Sequence, residues 1–446
     1  DSCYIVLEGE RIMNLISGIG KIRLNGKKGL TKNKEIVTIP EPPMIYIPLI
    51  IGSSTAFDVH VQEGDHVCKG TKLATRTDMY VPIYSPVSGT VKGIEKRMHI
   101  SGKVQNHLLI ENDFKNEEVV PFSYENPDEL SAEELVAAIK EIGVLGLGGS
   151  GFPTYIKYEN AKNIDTVLIN AVECEPYLTS DYKIMEKHAK ELIDGTHFLM
   201  KAGHAKKGVI AIKVVNDKLA KKLQEATEGY QNIEVVTVPD AYPMGWERVL
   251  IRELFKKEYD RFPGEIGIIV NNATTAIYLS EALRDKKPIT HRIVTISGEG
   301  VKNPENVYVP IGTSVDYIIE KIGGYTENVN EMFVLGGGPM MGKSIANDTF
   351  VVTTYSNSIT VLPKVVEEEL PCLRCGLCVE HCPAKIQPVQ IMNLEKQKNT
   401  EGVIAACADR CITCGLCTYI CPSKIEVTDW VGKAKTRVAN ARKAGK

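Results

Sequence analysis

Cys372-Leu-Arg-Cys375-Gly376-Leu-Cys378-Val-Glu-His-Cys382-Pro383 and Cys411-Ile-Thr-Cys414-Gly415-Leu-Cys417-Thr-Tyr-Ile-Cys421-Pro422 are two copies of one phrase, C-x2-C-x2-C-x3-C-P. Three thiolates at this spacing can wrap one iron–sulfur cube from a tight loop. The fourth, at the start of the next helix, reaches the other cube. The spacing therefore predicts one 4Fe–4S cluster on Cys372, Cys375, Cys378 and Cys421, and a second on Cys411, Cys414, Cys417 and Cys382. Gly376 and Gly415 let the loop backbone pass close to each cluster, and the prolines turn the chain away.

Two structural zinc sites are the competing reading. Zinc sites are usually built from paired C-x2-C knuckles with four ligands each. A third cysteine at the same short spacing, twice, is the pattern of two-cluster bacterial ferredoxins. A disulfide framework fits less well, because no secretory signal is visible and the cysteine usage points to a reducing compartment. Eight of the twelve cysteines are used in this way; Cys3, Cys68, Cys174 and Cys407 remain.

With 446 residues the chain is expected to form several domains, and a formal net charge of −3 argues against a nucleic-acid partner. No apolar run approaches the ~18–20 residues of a membrane helix, so a soluble chain is expected. From Glu35 to about Asn112 short strand signals alternate with turns at Gly64-Asp65, Lys69-Gly70 and Ser88-Gly89.

Further on, Ser131-Ala-Glu-Glu134 opens a helix with a capping box. That helix leads into Gly146-Leu-Gly148-Gly149-Ser150-Gly151-Phe152-Pro-Thr-x-x-Lys157. A helix, not a strand, precedes these glycines, so they are not a dinucleotide-binding fingerprint. They do permit close backbone approach and turn N–H groups toward an anion, with Lys157 in reach. The strand Thr166–Asn170 follows and runs into Glu173-Cys174-Glu175-Pro176, placing two carboxylates where α/β sheets bind ligands. A glycine-lined packing corner with solvated acids is the alternative.

In the β-rich part, Val61-Gln-Glu-Gly64-Asp65-His-Val67 and Ser85-Pro-Val-Ser88-Gly89-Thr-Val91 resemble the biotinyl/lipoyl, or barrel-sandwich, module. No Met-Lys-Met-like tip lies between them, so a structural module is expected. The glycine phrase, Asn170-Ala-x-Glu173-x-Glu175-Pro, Tyr242-Pro-Met-Gly-Trp-Glu-Arg, Val270-Asn271-Asn272-Ala-Thr-Thr275, Gly336-Gly-Gly-Pro-Met-Met-Gly342 and the cysteine run together resemble the NADH- and FMN-binding subunit of respiratory complex I. They are closer still to the RnfC family, which comprises the RnfC component of the Rnf complex and its soluble relatives. The resemblance spans about Glu35 to the C-terminus. It implies FMN held by Gly146, Gly148, Gly149, Lys157, Asn170, Glu173, Asn271, Asn272 and Thr275. It places NADH against Gly149, Ser150, Phe152, Lys157 and Glu175, with Gly151 shaping the same loop. Leu147 stands where the complex I protein usually has arginine, as in the Rnf relatives. The Gly-Gly-x-His-Pro opening typical of RnfC is replaced by Gly18–Gly29, a stretch expected at the pocket rim or a docking face.

The α/β alternation from His188 to Val270 predicts a mostly parallel sheet. The segment from His291 to Leu335 is similar to the β-grasp SLBB module and is expected to pack the flavin domain against the cluster domain. The expected organisation is a multidomain α/β protein: an N-terminal extension (1–34), a barrel-sandwich module (35–120), an α/β FMN/NADH domain (128–290), an SLBB module (291–350) and a helical, ferredoxin-like two-cluster domain (365–446).

The expected activity is that of an NADH-oxidising or NAD+-reducing iron–sulfur flavoprotein, with two 4Fe–4S clusters, FMN and NAD(H), and no catalytic acid or base. Its expected partners are the other Rnf subunits, with ferredoxin as a donor. A soluble RnfC-like component of a proline, cobalamin or methylenetetrahydrofolate reductase is the alternative, and a non-enzymatic carrier or scaffold a third. The location implied is cytoplasmic, reaching the cytoplasmic face of the membrane only through partners.

Overall fold

The computed structural model describes residues 4–7, 10–14, 21–124, 126–159, 161–365 and 367–444. Cys3 and Gly18 lie outside them. Two small sheets form the first module. One orders the strands Met44–Pro48, Val104–Asn112, Gly89–Met98 and His66–Val67; the other orders Phe57–Val59, Lys72–Arg76 and Val81–Tyr84. Alternating side chains of both sheets, among them Ile45, Ile47, Leu73, Val91, Leu108 and Ile110, meet in one core. Lys72 is pinned to Glu141 at 3.1 Å and to the Tyr80 hydroxyl at 3.2 Å, which suits a structural module rather than a swinging arm.

Helix Ala132–Ile142 begins with a complete Ser131/Glu134 capping box and ends at Gly143 in the left-handed region. It buries Leu135, Ile139 and Ile142 against the central α/β layer. There four strands lie parallel in the order Ile233–Val238, Lys207–Lys213, Thr166–Ala171, Ile268–Asn272. The chain steps outward from Thr166–Ala171 twice in one direction, then returns to its other side. The reversal creates a topological switch point between the carboxyl ends of Thr166–Ala171 and Ile268–Asn272, the place where open α/β sheets take ligands.

Helices Ser180–Lys187 and Ala273–Asp285 carry no clear signal in the sequence. Ala273–Asp285 is nearly all buried, so it lacks the amphipathic stripe that marks a surface helix.

A six-stranded sheet follows, built from Lys343–Ile345, Met332–Gly336, Ser358–Pro363, His291–Ser297, Glu305–Pro310 and Ile36–Thr38. Two of these strands fall outside the 291–350 segment. Ile36–Thr38 pairs parallel to Glu305–Pro310 rather than with the barrel-sandwich sheets, and Ser358–Pro363 supplies a central strand. Ile36–Thr38 is a short β-rich run whose partner lies hundreds of residues away, and local pattern carries no register information at that range.

The C-terminal domain is helical. Pro388–Lys396, Thr400–Ala405 and Val427–Lys443 enclose Ile391, Met392, Val403, Val431 and Val438. Among the described residues, no helix is long and apolar enough to cross a membrane.

Candidate flavin site and cluster centre

The glycine loop is closed on itself by backbone bonds: Gly146 N–H to Phe152 O at 2.8 Å and Gly151 N–H to Gly146 O at 3.0 Å. Gly149 and Gly151 have φ of +99° and +60°, which glycine adopts without steric cost. Leu147 anchors the loop over the switch point. Its N–H donates to Thr275 Oγ1 at 2.9 Å, and its carbonyl accepts from the fully buried Arg292 at 3.1 Å. Gly148 lies directly on Asn272; a Cβ there would sit 2.9 Å from Nδ2. Gly148, Gly149, Ser150 and Phe152 face solvent.

Asn272 caps helix Ala273–Asp285, its Oδ1 accepting from Thr275 N–H, while its Nδ2 donates to Asp181 at 2.8 Å. That helix N-terminus points into the switch point beneath the glycine loop, a favourable place for an anion. The Lys157 ammonium donates to the Val270 carbonyl at 2.6 Å, with Glu247 the carboxylate whose charge acts on it. Burial holds its pKa below the usual lysine value. Asn271 is buried with Oδ1 unpartnered, an unmet acceptor of the kind a bound group satisfies.

On the neighbouring strand end, Asn170 bridges Gly245 O and Val172 N–H at 2.6 and 3.1 Å. Glu173 accepts from Lys28 Nζ at 3.2 Å and from Asp181 N–H at 3.0 Å. Burial outweighs the Lys28 charge and pushes its carboxyl up to about 7. Glu175 reaches the loop at the end of the six-stranded sheet instead, where Oε1 accepts from the Met340 and Met341 N–H groups at 2.7 and 3.0 Å. The structure thus brings Gly146–Gly151, Asn170, Asn271, Asn272 and Thr275 together at the switch point. It sets Glu173 beside them and commits part of Glu175 to a domain contact.

Sequence reasoning missed Lys28, Asp181 and Arg292. Lys28 comes from the N-terminal extension and donates to Glu173 and to the Glu175 and Leu178 carbonyls. With Lys32, Lys213, Asp240 and Tyr242 it lines a cavity of about 290 Å³ along the sheet's carboxyl edge, in which Lys28 is paired with Glu173 and Lys213 with Asp240 at 2.8 Å. The extension therefore forms a wall of this cavity, which adjoins the switch point at Glu173.

The cysteines fall into two groups of different exposure. Cys372 and Cys375 are exposed and Cys378 and Cys421 half-buried, around a cavity of about 530 Å³. Cys382, Cys411 and Cys414 are buried. Burial pushes the Cys414 and Cys417 thiols up to about 12, so binding of iron must displace protons. The two loops repeat one backbone pattern. Arg374 and Thr413 have φ of +56° and +54°, and Gly376 and Gly415 of +79° and +80°.

Peptide N–H groups of Arg374 and Thr413 point at Cys372 and Cys411 Sγ, at 3.4 and 3.3 Å, and such bonds tune cluster potential.

The two centres meet through the Cys411–Cys417 loop. Tyr242 Oη donates to the Cys414 carbonyl at 2.6 Å, and Gly415 packs so closely on Met340 that a Cβ would lie 2.5 Å from its carbonyl oxygen. Ile22, Ile412 and Leu416 fill the seam.

A parallel α/β ligand layer capped by a glycine loop and joined to a paired-cysteine helical domain defines a class, that of flavin-domain proteins with a two-cluster module. Comparison with known families agrees. Residues 139–281 match the Nuo51 FMN-binding domain, 17–115 the RnfC barrel sandwich hybrid domain, 293–344 the SLBB domain and 370–425 the 4Fe-4S dicluster domain. The chain is 35% identical over 383 residues to the C component of the proton-translocating ferredoxin:NAD(+) oxidoreductase complex of Clostridium ljungdahlii, covering 83% of this chain and 82% of the relative. It is 33% identical over 364 residues to the C component of the ion-translocating oxidoreductase complex of Serratia proteamaculans, and there covers 79% of this chain but 51% of the relative. The crystal structure of an NAD+-reducing [NiFe]-hydrogenase in the air-oxidized state shares the fold, with a TM-score of 0.50 and 15% identity over 70% of this chain and 66% of that one.

The chain belongs to the RnfC family. It carries that family's FMN-binding and 4Fe–4S dicluster domains.

Proposed function

We propose that this chain is the NAD(H)-handling RnfC component of an ion-translocating ferredoxin:NAD+ oxidoreductase, with FMN at the switch point and one 4Fe–4S cube on each cysteine set. The observation that carries this reading is the convergence of the glycine loop, Lys157, the Asn272-capped helix N-terminus and Asn170 at one switch point, joined by Tyr242 to the buried cysteine loop. When bound, FMN supplies the exchange between a two-electron hydride and single electrons, and the cubes supply one-electron conduction.

The protein's residues hold and orient. Loop N–H groups, Lys157 and the helix N-terminus meet a phosphate. Asn170 and Asn271 offer amides to a ring edge or to ribityl hydroxyls. Phe152, exposed at the loop tip, offers a face for the nicotinamide dinucleotide. Glu175, braced by Met340 and Met341, borders the same space. The buried set around Cys414 adjoins the flavin domain, and the exposed set around Cys372 faces outward, toward another Rnf protein or ferredoxin. Peripheral membrane location through such partners follows from this reading.

The departure at Gly18–Gly29 from the usual RnfC opening favours a second reading, a soluble RnfC-like component of a cytoplasmic reductase. Copurification decides between them: membrane Rnf subunits support the first reading, a soluble enzyme the second. Flavin and iron analysis after anaerobic purification tests the shared core of both.

A further inference from the structure

The barrel-sandwich module holds a second set of metal-ligand side chains, away from the cysteine run. His66 and Cys68 stand two residues apart at the His66–Val67 strand, so both side chains leave the same face. The Asp113–Val119 segment runs beside them, fixed by Lys69 N–H to Glu117 O at 2.8 Å and Val119 N–H to Lys69 O at 2.9 Å. This register delivers Glu117. Its Oε2 lies 3.0 Å from His66 Nε2 and 4.0 Å from Cys68 Sγ. One ligand atom from each residue lies within 4.8 Å of the other two, and no other group of three such residues does so among the described residues.

The other ring nitrogen, His66 Nδ1, lies 3.9 Å from Asp113 Oδ2, just beyond hydrogen-bond distance. Asp113 is itself held by Ser88 Oγ at 2.6 Å and Lys115 N–H at 3.0 Å, and the Ser88 bond keeps its carboxyl below the usual range. A carboxylate that accepts from the far nitrogen of an imidazole orients a histidine ligand, and Asp113 is the carboxylate placed to do so once the ring turns toward it.

We propose that His66 Nε2, Cys68 Sγ and Glu117 Oε2 form a three-ligand site for a borderline divalent metal, Zn2+ in the first place, with Asp113 as the positioning residue. One thiolate, one imidazole and one carboxylate match zinc's donor preferences. Calcium and magnesium would call for oxygen donors throughout, and one thiolate cannot hold an iron–sulfur cube. Three protein ligands leave a fourth position for water. His66 and Glu117 side chains are about half exposed, at 46% and 48%, so metal reaches the site from solvent. Bound metal would fasten the Asp113–Val119 segment to the module. That segment also ties to the flavin domain, through the Glu118–Lys287 pair at 2.9 Å.

The test uses anaerobically purified holoprotein with its iron intact, stripped of loose metal, incubated with Zn2+ and passed through gel filtration. Zinc and iron per chain are measured for the wild type, Cys68→Ser, His66→Ala and Asp113→Ala, and zinc affinity is measured against a chromophoric chelator. The expected result is one zinc retained by the wild type and lost in Cys68→Ser and His66→Ala, with iron unchanged in all. Asp113→Ala is expected to bind about 10–100-fold more weakly. X-ray absorption at the zinc edge should show a single sulfur at ~2.3 Å among nitrogen and oxygen ligands. No retained zinc in the wild type, equal zinc in Cys68→Ser, or a multi-sulfur zinc shell overturns the proposal.

Discussion

The Tyr242 hydroxyl donates a 2.6 Å hydrogen bond to the carbonyl of Cys414, joining the flavin domain to the buried cysteine loop across 172 residues of sequence. Tyr242 is 1% exposed, so no water replaces the bond when it is removed. Tyr242→Phe therefore leaves a buried carbonyl unpaired and is expected to cost about 1–3 kcal/mol. The same change loosens the seam between the domains. In stopped flow with NADH, flavin bleaching should keep its rate while cluster reduction slows. Equal slowing of both would place the effect at the flavin instead.

Gly148 tests the glycine loop. A methyl group at this position would stand 2.9 Å from Asn272 Nδ2, which is already committed to Asp181 at 2.8 Å. Gly148→Ala must displace Asn272, and with it the cap of helix Ala273–Asp285. FMN affinity, followed by flavin fluorescence on titration, is expected to fall about tenfold or more, a loss of ~1.4 kcal/mol. Unchanged affinity would remove Asn272 from the flavin cradle.

Glu173 makes stability depend on pH. Burial raises its folded-state pKa to about 7 from the ordinary glutamate value of 4.5. Between these values the folded protein keeps a proton that the unfolded chain has lost, so this group's contribution falls as pH rises through the window. The shift corresponds to about 3 kcal/mol at most. Glu173→Gln carries no such titration. The wild type should lose thermal stability relative to Glu173→Gln on going from pH 5 to pH 8. A constant difference in Tm across that range would show that Lys28 keeps Glu173 ionised throughout.

The cysteine sets should empty independently. Cys375→Ser touches only the exposed set and is expected to lower iron from about eight to about four per chain. The cluster left on Cys411, Cys414, Cys417 and Cys382 should still be reduced by NADH. Loss of all iron would show that the two sites fold as one unit.

Local patterns made the cysteine loops, the capped helix at Ser131 and the glycine loop legible, because each is encoded within about a dozen residues. The repeat of left-handed positions at Arg374/Thr413 and Gly376/Gly415 follows directly from the repeated spacing. Other features depend on distant pairing and left no local trace. Ile36–Thr38 joins a sheet whose other strands begin at His291. Lys28 reaches Glu173 from a stretch whose composition carries no motif, and Glu175 is drawn toward Met340 by the packing of another module. Helix Ala273–Asp285 went unread because its first eight residues are all buried, and helical periodicity shows only where one face meets water.

Whether NADH meets a flavin at the switch point, with two four-iron cubes beyond it, is tested most directly by an anaerobic absorption spectrum paired with iron analysis. The purified chain is supplied with FMN and its spectrum recorded before and after NADH. The predicted result is a flavin band that bleaches on NADH addition and iron near eight per chain. A spectrum without a flavin band, a flavin that NADH leaves unbleached, or zinc in place of iron on the paired cysteines would contradict it.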